Sequence, residues 1–421
     1  MAEIQPLRTL RYEPGVVGSL DAVTAPPYDV IDEAERAALA AKSPFNVVEI
    51  DLPRGENGGD PYAHAEHTFE AWQQQGVLVR EREPAIWALT QDYTGPDGKQ
   101  RTRHGFLCRV RVEDYGPGRI RPHERTHPGP KEDRLRLTRA TRANLSPIFS
   151  LFEDGKRAAW GALEPFTHED PFGEATDPDG TVNKIWRVTD PDAIESVQKT
   201  LSDRELLIAD GHHRYETARV YAEEIGGEGE HRYVLMFLCS LSDPGLTIFP
   251  THRLLTDLSG DDKRAALAET LERDFESSPI GADQLEPGPD EEGIVLGYLD
   301  RFDETPTRLR LRSQEIADAA LADKPEPYRR LDTAVLEALV LKEALGMSED
   351  DISHFNGLNY SKDTGDARAA IQDGRADAAF FMRATPVEQV REVAEAGESM
   401  PPKSTYFFPK IPTGLVFNLL E

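Results

Sequence analysis

Residues 208–217 have the sequence Ile-Ala-Asp-Gly-His-His-Arg-Tyr-Glu-Thr and lie between two segments with clear structural signals. The apolar run 205–209 before the turn predicts a buried strand. The amphipathic segment 214–225 after the turn predicts a helix that ends at Gly226. We therefore predict a strand–turn–helix unit at the centre of the fold.

The first turn of this predicted helix is basic, because it holds His212, His213 and Arg214. The helix dipole already makes a helix N-terminus positive, so three basic residues there predict a bound anion. Free backbone N–H groups at the same place favour phosphate. Gly211 would let the backbone approach such a ligand closely. Asp210 is interpreted either as a helix cap or as a carboxylate that faces a metal ion or a substrate hydroxyl.

Two other interpretations of the motif are weaker. A helix start with solvated basic side chains would need no ligand. A zinc site would need His212 and His213 on one ion, but adjacent residues on a helix diverge by about 100°. No cysteine cluster lies near them to complete a zinc site.

The charge of the chain limits its partners. With 48 Lys and Arg against 76 Asp and Glu, the net charge is −28, which opposes binding to nucleic acids and anionic membranes. Acidic residues spread along the whole chain, with few lysines beside many arginines, favour a salt-adapted organism over an ordinary acidic cytosolic protein. The chain contains no apolar stretch of transmembrane length and begins without a signal-peptide pattern, so we expect a cytoplasmic protein.

The order of the predicted elements indicates the fold class. Residues 86–93 and 105–112 alternate apolar and polar side chains around a Gly-Pro-Asp-Gly turn, which predicts a hairpin. Residues 132–145 predict a helix. Hairpins mixed with helices favour an α+β (mixed α/β) fold over a doubly wound sheet. Cys108 and Cys239 lie in apolar runs and are expected to be core residues.

We predict three regions along the chain. Residues 1–256 form an N-terminal α/β region that contains both basic motifs, and residues 257–395 form a second α/β region. Residues 396–421 form a C-terminal tail that returns to the site. The charged, proline-containing loops 283–293 and 322–327 are the best candidates for boundaries.

A second basic cluster lies in residues 120–134. Its basic side chains are His123, Arg125, His127, Lys131 and Arg134. Basic residues gathered in a strongly acidic protein predict an anion site, although a solvated charged loop is the alternative. Glu124 lies among them and suits a metal ligand or a general base.

The tail offers a third candidate. Two prolines precede Lys403 and Ser404, whose ammonium and hydroxyl groups suit a phosphate and its counter-ion. Residues 406–408 are aromatic and would either anchor the tail or stack on a base. An apolar anchor with exposed lysines explains the pattern equally well. No Walker A, GxGxxG or GxSxG motif occurs in the chain.

Four blocks of this sequence resemble a large prokaryotic family that carries domain of unknown function 1015. The blocks are Pro-Pro-Tyr-Asp-Val at 26–30, His-Glu-Arg-Thr at 123–126, Ala-Asp-Gly-His-His-Arg-Tyr-Glu-Thr-Ala at 209–218, and Met-Pro-Pro-Lys-Ser-Thr-Tyr-Phe at 400–407 with Pro-Lys at 409–410. Their order matches as well, so the resemblance spans nearly the whole chain.

The block at 210–214 also resembles the core motif of the ParB/sulfiredoxin-like fold, especially its free-serine kinases. This resemblance implies such a core with large additional α/β elements. It also implies that Gly211, His212, His213 and Arg214 bind nucleotide phosphates and that Asp210 lies at the point of phosphoryl transfer. The kinases take a base from an acidic residue before the motif. The candidates here are Asp29, Glu49 and Glu124.

Together these observations predict a phosphotransferase that uses ATP or ADP with Mg²⁺. The nucleotide phosphates would bind residues 210–214, assisted by the basic cluster at 123–134 and by Lys403 and Ser404. The acceptor would be a small hydroxylated metabolite, and free L-serine is the leading candidate. The protein could form a homodimer. Two alternatives are a ParB-like nucleotide-binding regulatory protein without turnover and a phosphate-ester hydrolase.

Overall fold

The computed structural model describes residues 2–55, 58–124, 128–258 and 260–421, along which helices and strands are interspersed. The α-helices in these ranges are α1 (Pro14–Val17), α2 (Glu33–Lys42), α3 (Val48–Asp51), α4 (Pro61–Gln74), α5 (Pro128–Thr141), α6 (Ala158–Leu163), α7 (Pro191–Leu201), α8 (His212–Ile225), α9 (Asp261–Asp274), α10 (Gln314–Ala320), α11 (Glu326–Arg329), α12 (Asp332–Val335), α13 (Glu349–Ser353), α14 (Thr364–Gln372) and α15 (Val387–Glu395). A π-helical segment, Leu336–Ala344, follows α12 directly.

The strands of the described residues are β1 (Ile4–Gln5), β2 (Leu10–Tyr12), β3 (Leu78–Arg80), β4 (Ile86–Thr94), β5 (Gln100–Arg111), β6 (Ile120–Arg121), β7 (Ala143–Asn144), β8 (Ile148–Phe152), β9 (Gly173–Thr176), β10 (Val182–Val188), β11 (Leu206–Asp210), β12 (Tyr233–Ser240), β13 (Thr247–Phe249), β14 (His252–Leu255), β15 (Phe275–Pro279), β16 (Val295–Asp300), β17 (Thr307–Leu311), β18 (Leu358–Ser361), β19 (Ala378–Phe381), β20 (Tyr406–Phe408) and β21 (Asn418–Leu419). Short 3₁₀ turns occur at Leu20–Ala22, Tyr28–Val30, Glu164–His168, Glu230–Arg232 and Ala282–Gln284. The predicted mixed α/β class is confirmed.

The described residues form two compact units. The first unit takes its residues from 1–122, 126–247 and 409–421, and the second takes its residues from 123–125 and 248–408. The chain thus leaves the first unit after residue 247 and returns to it at residue 409. The division at 256/257 and 395/396 that we predict from the sequence remains a prediction.

The first unit is built on a nine-stranded sheet. Its strand order is β6-β11-β8-β12-β5-β4-β10-β9, and β1 pairs with β5 beside this path. The predicted hairpin is confirmed, because β4 and β5 pair antiparallel from Trp87–Leu107 to Thr94–Gln100. A buried cluster packs against the sheet, and its members include Phe106, Trp160, Val197, Ile208 and Tyr215.

Helix α5 differs from its prediction. It begins at Pro128 and ends at Thr141, whereas the sequence pattern predicts residues 132–145. Residues 143 and 144 leave the helix because they pair antiparallel with β21, as the register Asn418–Asn144 shows. The tail 409–421 therefore supplies a strand partner within the first unit.

The second unit is built on a six-stranded antiparallel sheet in the order β15-β17-β16-β19-β14-β18. Helix α14 packs against it through Ala367, Ala370 and Ile371, which join Leu254 and Phe381 in one buried cluster. This unit holds the tail segment up to residue 408, whereas the first unit holds the tail beyond it.

Two further expectations concern single features. Cys108 and Cys239 are buried and not bonded to each other, as predicted. In the part of the chain that the structure describes, no helix combines the length and apolarity that spanning a bilayer requires.

Candidate functional site

The strand–turn–helix unit predicted around residue 210 is confirmed in the first unit. Strand β11 ends at Asp210, and helix α8 begins at His212. Gly211 joins them with a φ of +96°, a left-handed conformation that glycine adopts without steric cost. As a glycine it has no side chain with which to cap the helix start.

Asp210 lies between two cations. Its Oδ2 accepts a hydrogen bond from Arg214 Nη2 at 2.5 Å, and its Oδ1 accepts one from Lys410 Nζ. Only 13% of the Asp210 side chain and 9% of the Arg214 side chain are exposed, so both charges are largely desolvated. Arg214 also donates from Nη1 to the carbonyl oxygen of Pro147 and to Ser146 Oγ.

This geometry fixes the charges of the three groups. Burial raises the pKa of Asp210, but the Lys410 ammonium and the Arg214 guanidinium outweigh burial and hold that pKa below its ordinary value. Burial lowers the pKa of Arg214, but Asp210 and further acidic groups raise it above its ordinary value. Asp210 is thus ionised at neutral pH, and it is itself an anion beside the basic helix start.

A second ion pair lies nearby in the same unit. Arg134 of α5 donates from Nη1 to both the backbone oxygen of Asp51, at 2.8 Å, and its Oδ1, at 3.1 Å. It also donates from Nε to Asp133 Oδ2 at 2.8 Å, and its guanidinium lies 4.2 Å from the centre of the Tyr28 ring. Burial raises the pKa of Tyr28 to about 12, so the phenol stays protonated at neutral pH.

A small cavity adjoins both ion pairs. Its volume is about 40 Å³, and its polar lining is formed by Tyr28, Asp51, Arg134, Ser146, Arg214 and Thr217, with Thr138 and Asn144. By volume it holds about three water molecules. Thr217 Oγ1 is buried and, within the part of the chain that the structure describes, has no hydrogen-bond partner, so a polar ligand in this space would satisfy it.

Three charged side chains line the cavity, namely Asp51, Arg134 and Arg214. Burial raises the pKa of Asp51, despite the opposing effects of Arg134 and Arg214. Further carboxylates, Asp29, Asp133 and Asp210, act on these side chains from outside the lining. Two guanidinium groups at one small cavity favour an anion.

The structure places most of the predicted site residues in the first unit. His212 is buried at the start of α8, and His213 is partly exposed beside it. Asp29 is exposed in the 3₁₀ turn after the prolines, and its charge acts on Arg214. Lys131 lies on α5 one turn before Arg134, and Glu49 of α3 contacts Arg36 at 3.5 Å. Arg125 and His127 lie outside the described residues.

The other predicted residues lie in the second unit. His123 is fully buried, and its Nε2 lies 2.8 Å from Thr405 Oγ1, which also donates to Glu124 Oε1 at 3.4 Å. Ser404 is buried, and its hydroxyl donates to Thr333 Oγ1 at 3.0 Å. Lys403 is exposed and has a φ of +56°. Two of the sequence blocks thus meet in the second unit, because His123 and Glu124 contact Thr405. Two others meet in the first unit, because Asp210 contacts Lys410.

Sequence reasoning missed Lys410 and Asp51 as site residues. Lys410 belongs to the Pro-Lys pair at 409–410, which is part of the family resemblance. The residue types around it gave no reason to assign it to the site. Asp51 gave no local signal, because its partner Arg134 lies 83 residues later in the chain. Both residues are recognised only through contacts that are distant in sequence.

Comparison with known proteins places the chain in a family. The family described as protein of unknown function (DUF1015) matches residues 4–334, and the chain belongs to it. The comparison with curated proteins gives no match.

Solved structures similar to this one include three that cover most of its length. A conserved hypothetical protein from Pyrococcus furiosus is 16% identical, with a TM-score of 0.35 over 71% of this chain and 92% of that chain. A free serine kinase in complex with AMP is 16% identical, with a TM-score of 0.35 over 70% and 88%. SbnI with a C-terminal truncation, from Staphylococcus aureus, is 11% identical, with a TM-score of 0.37 over 74% and 87%. TM-scores this low carry no argument about function, and the ParB/sulfiredoxin-like core stays a prediction.

Proposed function

We propose that this protein is a nucleotide-dependent phosphotransferase that acts on a small hydroxylated metabolite, with free L-serine as the leading acceptor. One observation carries the proposal. Two cations, Arg214 and Lys410, are held on the buried carboxylate of Asp210 at the N-terminus of α8. Phosphoryl transfer depends mainly on positioned charge, and these groups supply it without a covalent nucleophile.

The residues fit a nucleotide with its metal ion. The phosphates of ATP or ADP would bind the backbone N–H groups at the start of α8, with His213, Arg214 and Lys410 around them. Mg²⁺ usually keeps several waters and binds largely through substrate phosphates, so the protein needs to supply few ligands of its own. When bound, the metal neutralises phosphate charge.

Asp210 is better suited to anchoring charge than to accepting a proton. A general base works best when its pKa lies near the working pH, and the pKa of Asp210 is held below its ordinary value. We therefore assign Asp210 to the positioning of Arg214 and Lys410. Asp29 is the proposed base in the first unit, because it is exposed and acts electrostatically on Arg214. Glu49 of the first unit and Glu124 of the second unit stay predictions of the sequence.

The cavity admits only one end of an acceptor. At about 40 Å³ it has room for a few polar atoms. Its lining offers the hydroxyls of Ser146 and Thr217 and the carboxylate of Asp51. The hydroxyl end of a small acceptor fits this space, and the rest of a molecule such as L-serine would lie outside it.

The test is an incubation in high salt with ATP or ADP, Mg²⁺ and a mixture of free amino acids and polyols, analysed by mass spectrometry. We expect O-phosphoserine from the wild type. Lys410→Gln removes a cation from the site and should lower product formation about a hundredfold, as the loss of one preorganised donor does in other enzymes. Lys184→Gln is the matched control, because Lys184 also pairs with a carboxylate, Asp92, at 3.5 Å.

Other outcomes would replace the proposal. Nucleotide binding in calorimetry without any phosphorylated product would favour a nucleotide-gated regulatory protein. Release of inorganic phosphate without an acceptor would favour a hydrolase. Equal activity of Lys410→Gln and Lys184→Gln would remove the assigned site even if a kinase activity exists.

A further inference from the structure

Arg103 is a fully buried arginine of strand β5 in the first unit. None of its surface is exposed, and its guanidinium lies 4.5 Å from the ring centre of Phe149 and 5.4 Å from that of Phe237. It donates from Nε and Nη2 to Gln91 Oε1 and from Nη2 to the carbonyl oxygen of Pro409 at 2.5 Å. Its hydrogen-bond partners in the described residues are therefore neutral.

Gln91 extends this arrangement to the next residue of the tail. Its side-chain amide donates to the carbonyl oxygen of Lys410 at 2.9 Å and to Asn183 Oδ1 at 2.7 Å. Gln91 is itself fully buried on β4. Two buried side chains of the central sheet thus bind two consecutive backbone carbonyls of the tail.

Burying this charge is costly for the fold. A buried guanidinium without a carboxylate partner loses its hydration, and neutral hydrogen bonds and two ring contacts offset that loss only in part. One of its donors, Nη1, has no hydrogen-bond partner among the described residues. Burial lowers the pKa of Arg103 to about 10, so the group remains charged at neutral pH. An apolar side chain would pack between Phe149 and Phe237 at lower cost, so packing alone does not explain the arginine.

We propose that Arg103 and Gln91 form a positioning pair that fixes the backbone of residues 409 and 410, so that the Lys410 ammonium stays on Asp210. A lysine side chain has many rotamers, and holding it in one geometry costs conformational entropy. Here the carbonyl of Lys410 is bound by Gln91 and its Nζ is bound by Asp210. The residue is held at both ends. This proposal rests on the proposed function only for the role of Lys410 in the site.

The reactivity of Lys410 tests the pair without reference to catalysis. A lysine held in a largely buried ion pair reacts slowly with an acylating reagent, because it must first separate and lose its proton. Acetylation of the intact protein by an N-hydroxysuccinimide ester, followed by peptide mass spectrometry, gives a rate for each lysine. Arg103→Met removes the guanidinium that binds the carbonyl of Pro409. Gln91→Glu removes the amide N–H that binds the carbonyl of Lys410. Arg101→Gln is the matched control on the same strand, because Arg101 pairs with Asp97 at the surface.

In both test variants the acetylation rate of Lys410 should rise about fivefold, the equivalent of one net hydrogen bond. The rates of Lys184 and Lys199 should stay unchanged, and Arg101→Gln should match the wild type at all three lysines. An unchanged Lys410 rate in a folded variant would overturn the proposal, as would a rise shared by all three lysines. If Arg103→Met does not fold, Gln91→Glu alone decides. Because no nucleotide is added, a failed kinase assay leaves this result intact.

Discussion

At the scale of single residues, Asp210 explains the unusual composition of the helix start. Basic side chains at a helix N-terminus are repelled by the positive end of the helix dipole, and the sequence therefore predicts an anion there. The structure places one within the chain itself, since Asp210 accepts hydrogen bonds from Arg214 and Lys410. A phosphate that binds here would thus contact two cations that Asp210 already holds in position.

Arg214→Gln should destabilise the first unit by about 3 kcal/mol, because the variant leaves a buried carboxylate with one of its two charged partners. Urea unfolding followed by tryptophan fluorescence measures this unit, since Trp72, Trp87, Trp160 and Trp186 all lie in it. Arg101→Gln breaks a pair of the same spacing at the surface and should cost only about 0.5 kcal/mol. Equal losses in the two variants would show that the Asp210 pair contributes no more than a surface ion pair.

At the scale of elements, the two ends of α8 provide a matched comparison. Gly211 and Gly226 both have a positive φ, +96° and +69°, so alanine should cost about 1–2 kcal/mol at either position. Only at Gly211 would the new Cβ touch the site, because it would lie 3.0 Å from the Arg214 guanidinium.

Gly211→Ala should therefore lower nucleotide affinity about tenfold, the equivalent of one charge-assisted hydrogen bond, whereas Gly226→Ala should leave affinity unchanged. Titration calorimetry with ADP and Mg²⁺ measures both constants, and thermal unfolding confirms that the variants are folded. Comparable affinities in the two variants would argue against phosphate binding at the start of α8.

The turn between β9 and β10 predicts a pH effect on the stability of the first unit. Burial raises the pKa of Asp177 to about 7, and its Oδ2 accepts a hydrogen bond from Asn183. An acid whose pKa is higher in the folded state stabilises the fold below its unfolded value of about 4, and this contribution disappears as pH rises through 7. The free energy of unfolding should therefore fall across that range.

Asp177→Asn should flatten this fall, because asparagine keeps the shape of the side chain without a titrating proton. Asp179→Asn, in the same turn, should reduce the fall only in part, because Asp179 contributes less than burial to the raised pKa of Asp177. Urea unfolding at several pH values between 4 and 8, again followed by tryptophan fluorescence, makes the comparison. A wild-type slope that persists in Asp177→Asn would assign the pH effect to another group.

At the scale of the whole molecule, the net charge of −28 dominates the response to salt. Like charges repel in the folded state, and raising the ionic strength from 0.1 M to 1 M shortens the Debye length from about 10 Å to about 3 Å. The melting temperature should rise with KCl over this range. Sucrose at equal osmolality is the control, because it is excluded from the surface without screening charge. A melting temperature that falls with KCl, or rises equally with sucrose, would contradict the electrostatic explanation.

The sequence was most informative where the contacts are local. The apolar run before Asp210 and the amphipathic pattern after it were sufficient to predict β11 and α8. The pairs Asp210–Lys410 and Asp51–Arg134 could not be predicted, because 200 and 83 residues separate their members and no periodicity links them. The end of α5 was misplaced for the same reason, since its boundary depends on pairing with the distant strand β21.

The two partners of Asp210 are also synthesised at different times during translation. Arg214 follows it by a single turn of helix, whereas Lys410 follows it by 200 residues. A ribosome that adds about 5–20 residues per second needs about 10–40 s to synthesise that interval. Throughout this time the nascent protein carries its central carboxylate with one cation instead of two. The site becomes complete only after the ribosome has translated the tail around residue 410.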